Sequence, residues 1–404
     1  MTPRAVLPVW ARCLIGAIFA MLPGSRFAGE ASAQLRLTGQ ASPAYIKSDD
    51  GYSQYITDAG RATFAWRLDL FADAAISDNV FFLSNLRIVQ DQIFHIDLLA
   101  LKLTDIAGTG VNVEAGEIDL PFGSLGERRF PKNNPFYRLP LLHEHLTTLR
   151  SSNYQLWIPD ARYTRAGDGI RLVDQGLYDV GAKLYGGVGI FDYWVAVING
   201  MVSATSTYST NYGLSGLNSK KGLGTIIRIA ATPMTGLTIG SSYATGAFLD
   251  EYGGTDVYGT AYHSSDIRQH ALEADVDFSI EHLRLYAEGI YNVWTFTDLL
   301  GSDLTALGYS IEGEYTVVPR VTVAARAGEL FFNTIDALIP GLYGAGPYAY
   351  SGRWDHNVLR IEGALGYRVE RAVLVKAVYE SNTALGVTED PPDNTLVIQA
   401  VVSF

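Results

Sequence analysis

The chain has 404 residues, a formal net charge of −12, and 18% charged against 12% aromatic residues. Soluble domains average about 25% charged residues, so the chain is charge-poor, and its wealth of Tyr, Phe and Trp excludes a disordered polymer. The acidic balance argues against nucleic acid as a partner, because phosphate binding needs a basic footprint.

Residues 1–33 read as a cleaved secretory signal. Arg4 and Arg12 supply a positive start, residues 13–22 are apolar and uncharged, and Ala31-Ser32-Ala33 offers small residues for cleavage before Gln34. That apolar stretch is too short for an anchor, since spanning needs roughly 20 residues. Cys13 is the single cysteine and leaves with the signal. The remaining chain therefore has no disulfide, no thiolate nucleophile, no Cys-rich metal site and no attachment site for a c-type haem. No cofactor is expected.

After residue 33 no run of 18 apolar residues occurs, and helical stripes are scarce. Alternation with period two recurs instead. In residues 61–74, Phe64, Trp66, Leu68, Leu70 and Ala72 share one face, and Arg67, Asp69 and Asp73 share the other. A turn at Ser77-Asp78-Asn79 leads into a second strand, 80–90.

Residues 120–175 break the alternation and are too long for a plain loop. They carry Pro121, Pro131, Pro135, Pro140 and Pro159, and between Asp119 and Arg150 the bases Arg128, Arg129, Lys132, Arg138 and Arg150 outnumber the acids Asp119, Glu127 and Glu144. Two placements are open: a segment folded into a lumen, or a solvated outer loop. His143-Glu144-His145 would put both imidazoles on one face of a strand. No third ligand is identifiable, so no metal is assigned.

Alternation resumes further on. Leu272, Ala274, Val276 and Phe278 oppose Glu273, Asp275 and Asp277. Leu283, Leu285, Ala287, Tyr291 and Val293 oppose Arg284, Tyr286, Glu288 and Asn292. Leu307, Tyr309 and Ile311 oppose Ser310, Glu312 and Glu314. Leu359, Ile361, Leu365 and Tyr367 oppose Arg360 and Glu362, and Val373, Val375, Ala377 and Tyr379 oppose Lys376 and Glu380. From residue 190 onward short connections (232–236, 280–282, 317–320, 369–371) alternate with long ones (200–221, 247–265, 295–303, 333–353, 382–394). That rhythm predicts an all-β transmembrane antiparallel barrel of about 16 strands, between 14 and 18, with short periplasmic turns and long extracellular loops.

The chain ends on Leu396, Ile398, Ala400, Val402 and Phe404 along one strand face. This resembles the terminal strand of bacterial outer-membrane barrels, whose final Phe is read by the barrel assembly machinery. Pairing of this strand with residues 35–45 would close the barrel and leave no edge in lipid. Residues 34–404 thus resemble a porin-type protein with one long insert at 120–175. Residues 113–123, ending in Pro121-Phe122-Gly123, are similar to the loop entry of phosphate-selective porins; no phosphate site is carried over.

The resemblance implies a passive channel for small hydrophilic solutes or ions in the outer membrane of a Gram-negative envelope. Its partners would be outer-membrane lipid and the assembly machinery, and it leaves a homotrimer open. Arg128, Arg129, Lys132 and Arg138 are the candidate constriction. Arg67, Asp69, Asp73, Glu273, Asp275, Asp277, Arg284, Glu288, Glu312, Glu314, Arg360, Glu362 and Lys376 are the candidate lining, with acids outnumbering bases on the wall. Phe404 is the assembly signal. The alternative is a non-conducting barrel, either an enzyme of phospholipase or protease type or the sheath of a larger complex. No nucleophile elbow or triad spacing appears, so no catalytic residue is assigned.

Overall fold

The computed structural model describes residues 34–49, 62–90, 92–149, 169–174, 176–203, 222–249, 253–255, 261–263, 265–295, 303–339, 348–386 and 393–404. The expected signal and, in the insert, Arg150 and Pro159 lie outside them. Twenty strands follow in chain order: β1 (Gln34–Ser48), β2 (Ala62–Ser77), β3 (Val80–Val89), β4 (Gln92–Leu103), β5 (Asn112–Asp119), β6 (Tyr178–Val188), β7 (Phe191–Ile198), β8 (Gly224–Met234), β9 (Leu237–Ala247), β10 (Gly253–Thr255), β11 (Ala261–His263), β12 (Arg268–Ile280), β13 (Leu283–Trp294), β14 (Leu304–Val318), β15 (Val321–Phe332), β16 (Thr334–Ile339), β17 (Tyr348–Arg353), β18 (Asn357–Glu370), β19 (Val373–Leu385) and β20 (Asp393–Ser403). Sixteen of them close into one barrel; β10–β11 and β16–β17 are separate two-stranded ribbons within long connections.

Alternation decides which face each residue takes. Leu272 is 53% exposed on the outside of β12, and its neighbour Glu273 is fully buried inside. Phe64, Leu307, Ile311, Ile361, Leu365 and Tyr379 are likewise exposed on the outer surface. An outward apolar belt over strands of eight to sixteen residues suits lipid, where each unpaired backbone group would cost several kcal/mol.

Closure is made by β1 and β20, with Gln40 opposite Ser403 and Ser48 opposite Thr395. The last residue extends the ladder: Gly39 N–H donates to the Phe404 carbonyl at 2.8 Å and Phe404 N–H donates to the Gly39 carbonyl at 3.0 Å. The Phe404 ring lies over Gly39, where any Cβ would collide with it.

The interior departs from a simple polar tube. At the rim of the long connections, Ile198, Ile226, Ile290, Trp294, Leu304, Leu330 and Phe332 turn inward and pack on Leu142, Leu149, Leu172, Phe248 and Trp354. A second cluster joins Phe136 to Ala44, Val378 and Val397. The insert's side chains therefore bury apolar surface inside the barrel.

Candidate functional site: the lumen and its inward segment

The segment that follows β5 enters the lumen through a glycine. Gly123 has φ +69°, and a Cβ there would strike the Glu288 carboxylate. Its N–H donates to Ser242 Oγ of β9 at 3.1 Å. Only a residue without a side chain brings the backbone this close to the β9, β12 and β13 wall while adopting a left-handed conformation.

A short 3-10 turn, Gly126–Arg129, then sends two arginines in opposite directions. Arg128 reaches β14, pairing with Glu312 at 2.6 Å, and its guanidinium lies 3.6 Å from the Tyr286 ring centroid. Arg129 turns back to Asp119 at 2.7 Å and lies over Tyr178 at 4.3 Å. Burial pulls the Arg129 guanidinium down, and the Asp119 carboxylate outweighs it, so the group is held above its ordinary range.

Beyond Arg129 the chain crosses to the other wall. Phe130 meets Phe71 of β2 edge-on at 5.1 Å, and Lys132 N–H donates to Gln40 Oε1 of β1 at 3.1 Å. The buried Lys376 of β19 donates to the carbonyls of Pro131, Asn134 and Phe136 at 2.9, 2.8 and 3.1 Å. Arg326 of β15 donates to the Arg138 carbonyl at 2.8 Å and covers the Phe136 ring at 4.2 Å. Arg138 pairs with Glu380 at 3.5 Å. Burial lowers its proton affinity, but the Glu380 and Glu144 carboxylates raise it further. Glu144 also receives Arg360 at 2.9 Å.

The helical turn α1 (Leu141–Glu144) holds His143, and His145 follows as its C-cap, so the expected strand geometry at 143–145 does not form. His143 Nε2 approaches Glu288 at 3.2 Å and His145 Nε2 approaches Asp355 at 3.5 Å. The two rings serve different walls. Among the described residues no group of three His, Cys, Asp or Glu is arranged to hold a metal ion.

The four constriction candidates do not converge. Arg128 is locked against β13 and β14, Arg138 lies between Glu144 and Glu380, and Lys132 is exposed on the side of the short turns. Arg129 alone faces the remaining gap, a cavity of about 110 Å³. Arg67, Arg87, Asp97, Tyr137, Glu144 and Tyr178 supply further charged and phenolic groups to its lining. Arg67 pairs with Asp69 at 2.8 Å and Arg87 with Asp97 at 3.0 Å. Burial pushes the Tyr137 hydroxyl above its ordinary pKa, so it stays a neutral donor.

The lining candidates occupy several distinct groups. Glu273 and Asp275 share Arg228 at 3.2 and 2.7 Å. Asp277 and Arg284 pair near the short-turn rim, where Asp73 also stands opposite Arg36. Glu312 also meets Arg326 at 3.4 Å, and Arg326 pairs with Glu362. Glu314 borders a second cavity together with Lys376.

Sequence reading missed Arg87, Asp97, Arg228 and Arg326. Arg228 shares its face with the buried Ile226, so its strand shows no polar alternation. Arg87 lies beside register shifts between β3 and β4, which break the period of two. Arg326 stands between Ala324 and Gly328, which carry no polarity signal. With these bases counted, the inward wall is less acidic than the sequence tally, and each of the three guanidiniums has a carboxylate beside it.

No family model and no curated protein matches the chain. Solved structures do, across almost its whole length. OmpT, an outer-membrane protein of Vibrio cholerae, aligns with a TM-score of 0.55 at 12% identity, covering 94% of this chain and 100% of that one. The outer-membrane channel DcaP of Acinetobacter baumannii aligns with a TM-score of 0.55 at 12% identity, covering 94% and 99%. An anion-selective porin from Comamonas acidovorans aligns with a TM-score of 0.54 at 10% identity, covering 92% and 100%. The fold is that of the bacterial outer-membrane porins, a closed barrel of sixteen antiparallel strands. This chain folds as a porin-type β-barrel, with its short turns at one end and its long connections at the other.

Proposed function

We propose that the protein is a narrow channel for small hydrophilic solutes, exported by residues 1–33, and that it is not an enzyme. One observation carries the reading: the segment 120–149 crosses the lumen and leaves a gap against β2, β3, β4 and β6, lined by Arg67, Arg87 and Arg129 against Asp97 and Glu144. Charges confined in a low-dielectric gap act at short range; Arg67, Arg87 and Arg129 line it directly, whereas Asp69 and Asp119, the partners of two of them, stand outside its lining, so anions are favoured over cations. The porin fold supports the reading, and a trimer is the assembly we expect.

Recordings from the purified barrel in planar bilayers test it. Stepwise conductance with an anion-leaning reversal potential is the expected result. A specific observation favours a second reading, a barrel that does not conduct: Trp294, Phe332, Trp354 and Leu172 fill the outer end of the lumen. A silent bilayer with correctly folded protein would establish that reading instead.

A further inference from the structure

Cations at the periplasmic mouth differ from those deeper in the lumen. Arg128, Arg129, Arg228 and Arg326 each stand against a carboxylate. Arg36, Lys132, Arg320, Arg368 and Arg371 are all exposed, and none forms an ion pair with a described residue. They occupy one arc of the rim, from the β14–β15 turn through β18 and β19 to β1. Strand parity aims two of them inward. Arg36 shares its face with Gln40 and Ser42, and Arg368 shares its face with Arg360 and Glu362.

Two cavities open under this arc and meet at Lys132 and Asn133. One, of about 300 Å³, is lined by Arg320, Arg368, Lys376 and Glu314. The other, of about 520 Å³, is lined by Arg36, Arg371, Gln40 and Glu127. The carboxylates of Glu314, Glu127 and the chain-terminal Phe404 are outnumbered by six cations, and Glu127 is occupied by Asn133 Nδ2 at 3.2 Å. The Arg320 guanidinium donates to the rim carbonyl of Val369 at 3.5 Å. The opposite arc of the same rim is richer in exposed acids, with Asp78, Asp105, Asp192 and Glu281 there against Glu370 on the basic arc. Rim cations serving lipid head groups would face outward around the whole circumference; these line an inner basin on one side.

We propose that this basin is a binding site for small multivalent oxyanions at the periplasmic mouth. A concave surface with an excess of one sign, within low-dielectric walls, concentrates counter-charge, and several separated cations engage several carboxylate or phosphate groups of one solute at once. The lumen reading enters only as the route by which the anion arrives; binding does not require conduction.

The test is calorimetric titration of citrate into the detergent-folded barrel at low salt, with acetate as the monovalent comparison. One citrate per barrel is expected, about tenfold or more tighter than acetate. The double variant Lys132→Gln with Arg368→Gln removes two exposed cations and should weaken citrate about tenfold, with heat-modifiable mobility confirming the folded barrel. Arg67→Gln, in the lumen gap, should leave citrate binding intact. No citrate binding, or equal binding by the double variant, overturns the proposal. Loss on Arg67→Gln with retention in the double variant moves the site to the gap and overturns it as well. A barrel that binds citrate but carries no current sinks the channel reading and leaves this site standing.

Discussion

Lys376 shows how one inward side chain can hold a loop. Its ammonium lies almost fully buried under the carbonyls of Pro131, Asn134 and Phe136. Lys376→Met keeps the stem and removes all of these bonds, which should cost about 2–4 kcal/mol. The heat-modification temperature should fall, and open-channel noise should rise as the 131–136 turn loosens. Arginine neighbours should diverge in the same way. Arg129→Gln removes a charge from the lumen gap and should shift the reversal potential toward cations, most visibly at low salt, where the screening length exceeds about 10 Å. Arg128→Gln should leave selectivity nearly unchanged, because Arg128 is turned away from the gap and Glu312 retains Arg326 at 3.4 Å. Equal shifts from both variants would contradict the separation of these two side chains.

At the scale of elements, the strands and the inward segment obey different rules. On β2 and β19, Leu68 and Val375 face outward, and Asp69 and Lys376 face inward. An outward Arg near the midplane costs roughly 2–4 kcal/mol. Leu68→Arg and Val375→Arg should therefore reduce the folded fraction in lipid, whereas Asp69→Asn should be tolerated; urea titration of the folded barrel in vesicles measures the difference. The inward segment depends on backbone geometry instead. Gly123→Val combines a left-handed φ with a collision at Glu288, a strain of about 1–3 kcal/mol or more. It should displace the segment without opening the barrel. Unchanged conductance alongside unchanged stability would mean that the segment does not pass where the structure puts it.

For the whole molecule, closure depends on the final residue. Phe404 completes two backbone bonds to Gly39 and lays its ring over that glycine. Deleting Phe404 exposes the start of the β1 edge to lipid, where unsatisfied backbone is costly. Outer-membrane levels of heat-modifiable barrel should fall while export to the periplasm continues, as followed by fractionation and gel mobility. Normal levels of folded barrel in that variant would remove Phe404 from assembly.

The barrel itself was legible in sequence because lipid and lumen impose opposite polarity on alternate residues. Strands such as 270–278 and 359–367 announced both their faces and their neighbours' spacing, and alternating loop lengths led to about sixteen strands, between 14 and 18. The terminal run ending at Phe404 identified the strand that closes the ring. Tertiary structure decided everything that depends on which wall the insert reaches. The signs of Arg128, Arg129, Lys132 and Arg138 were plain, but a 3-10 turn sends the first two to opposite walls and leaves Lys132 on the side of the short turns. The histidine pair lost its shared face because a helical turn ends between the two residues, with His143 inside it and His145 at its extended C-cap. Ile226 and Trp294 broke the polar-inside rule because apolar residues of the insert and outer loops pack against them. Period and composition are local properties that one strand carries alone. The position of an inward segment is set by partners more than a hundred residues away, as between Arg128 and Glu312, and only the closed barrel brings those partners together.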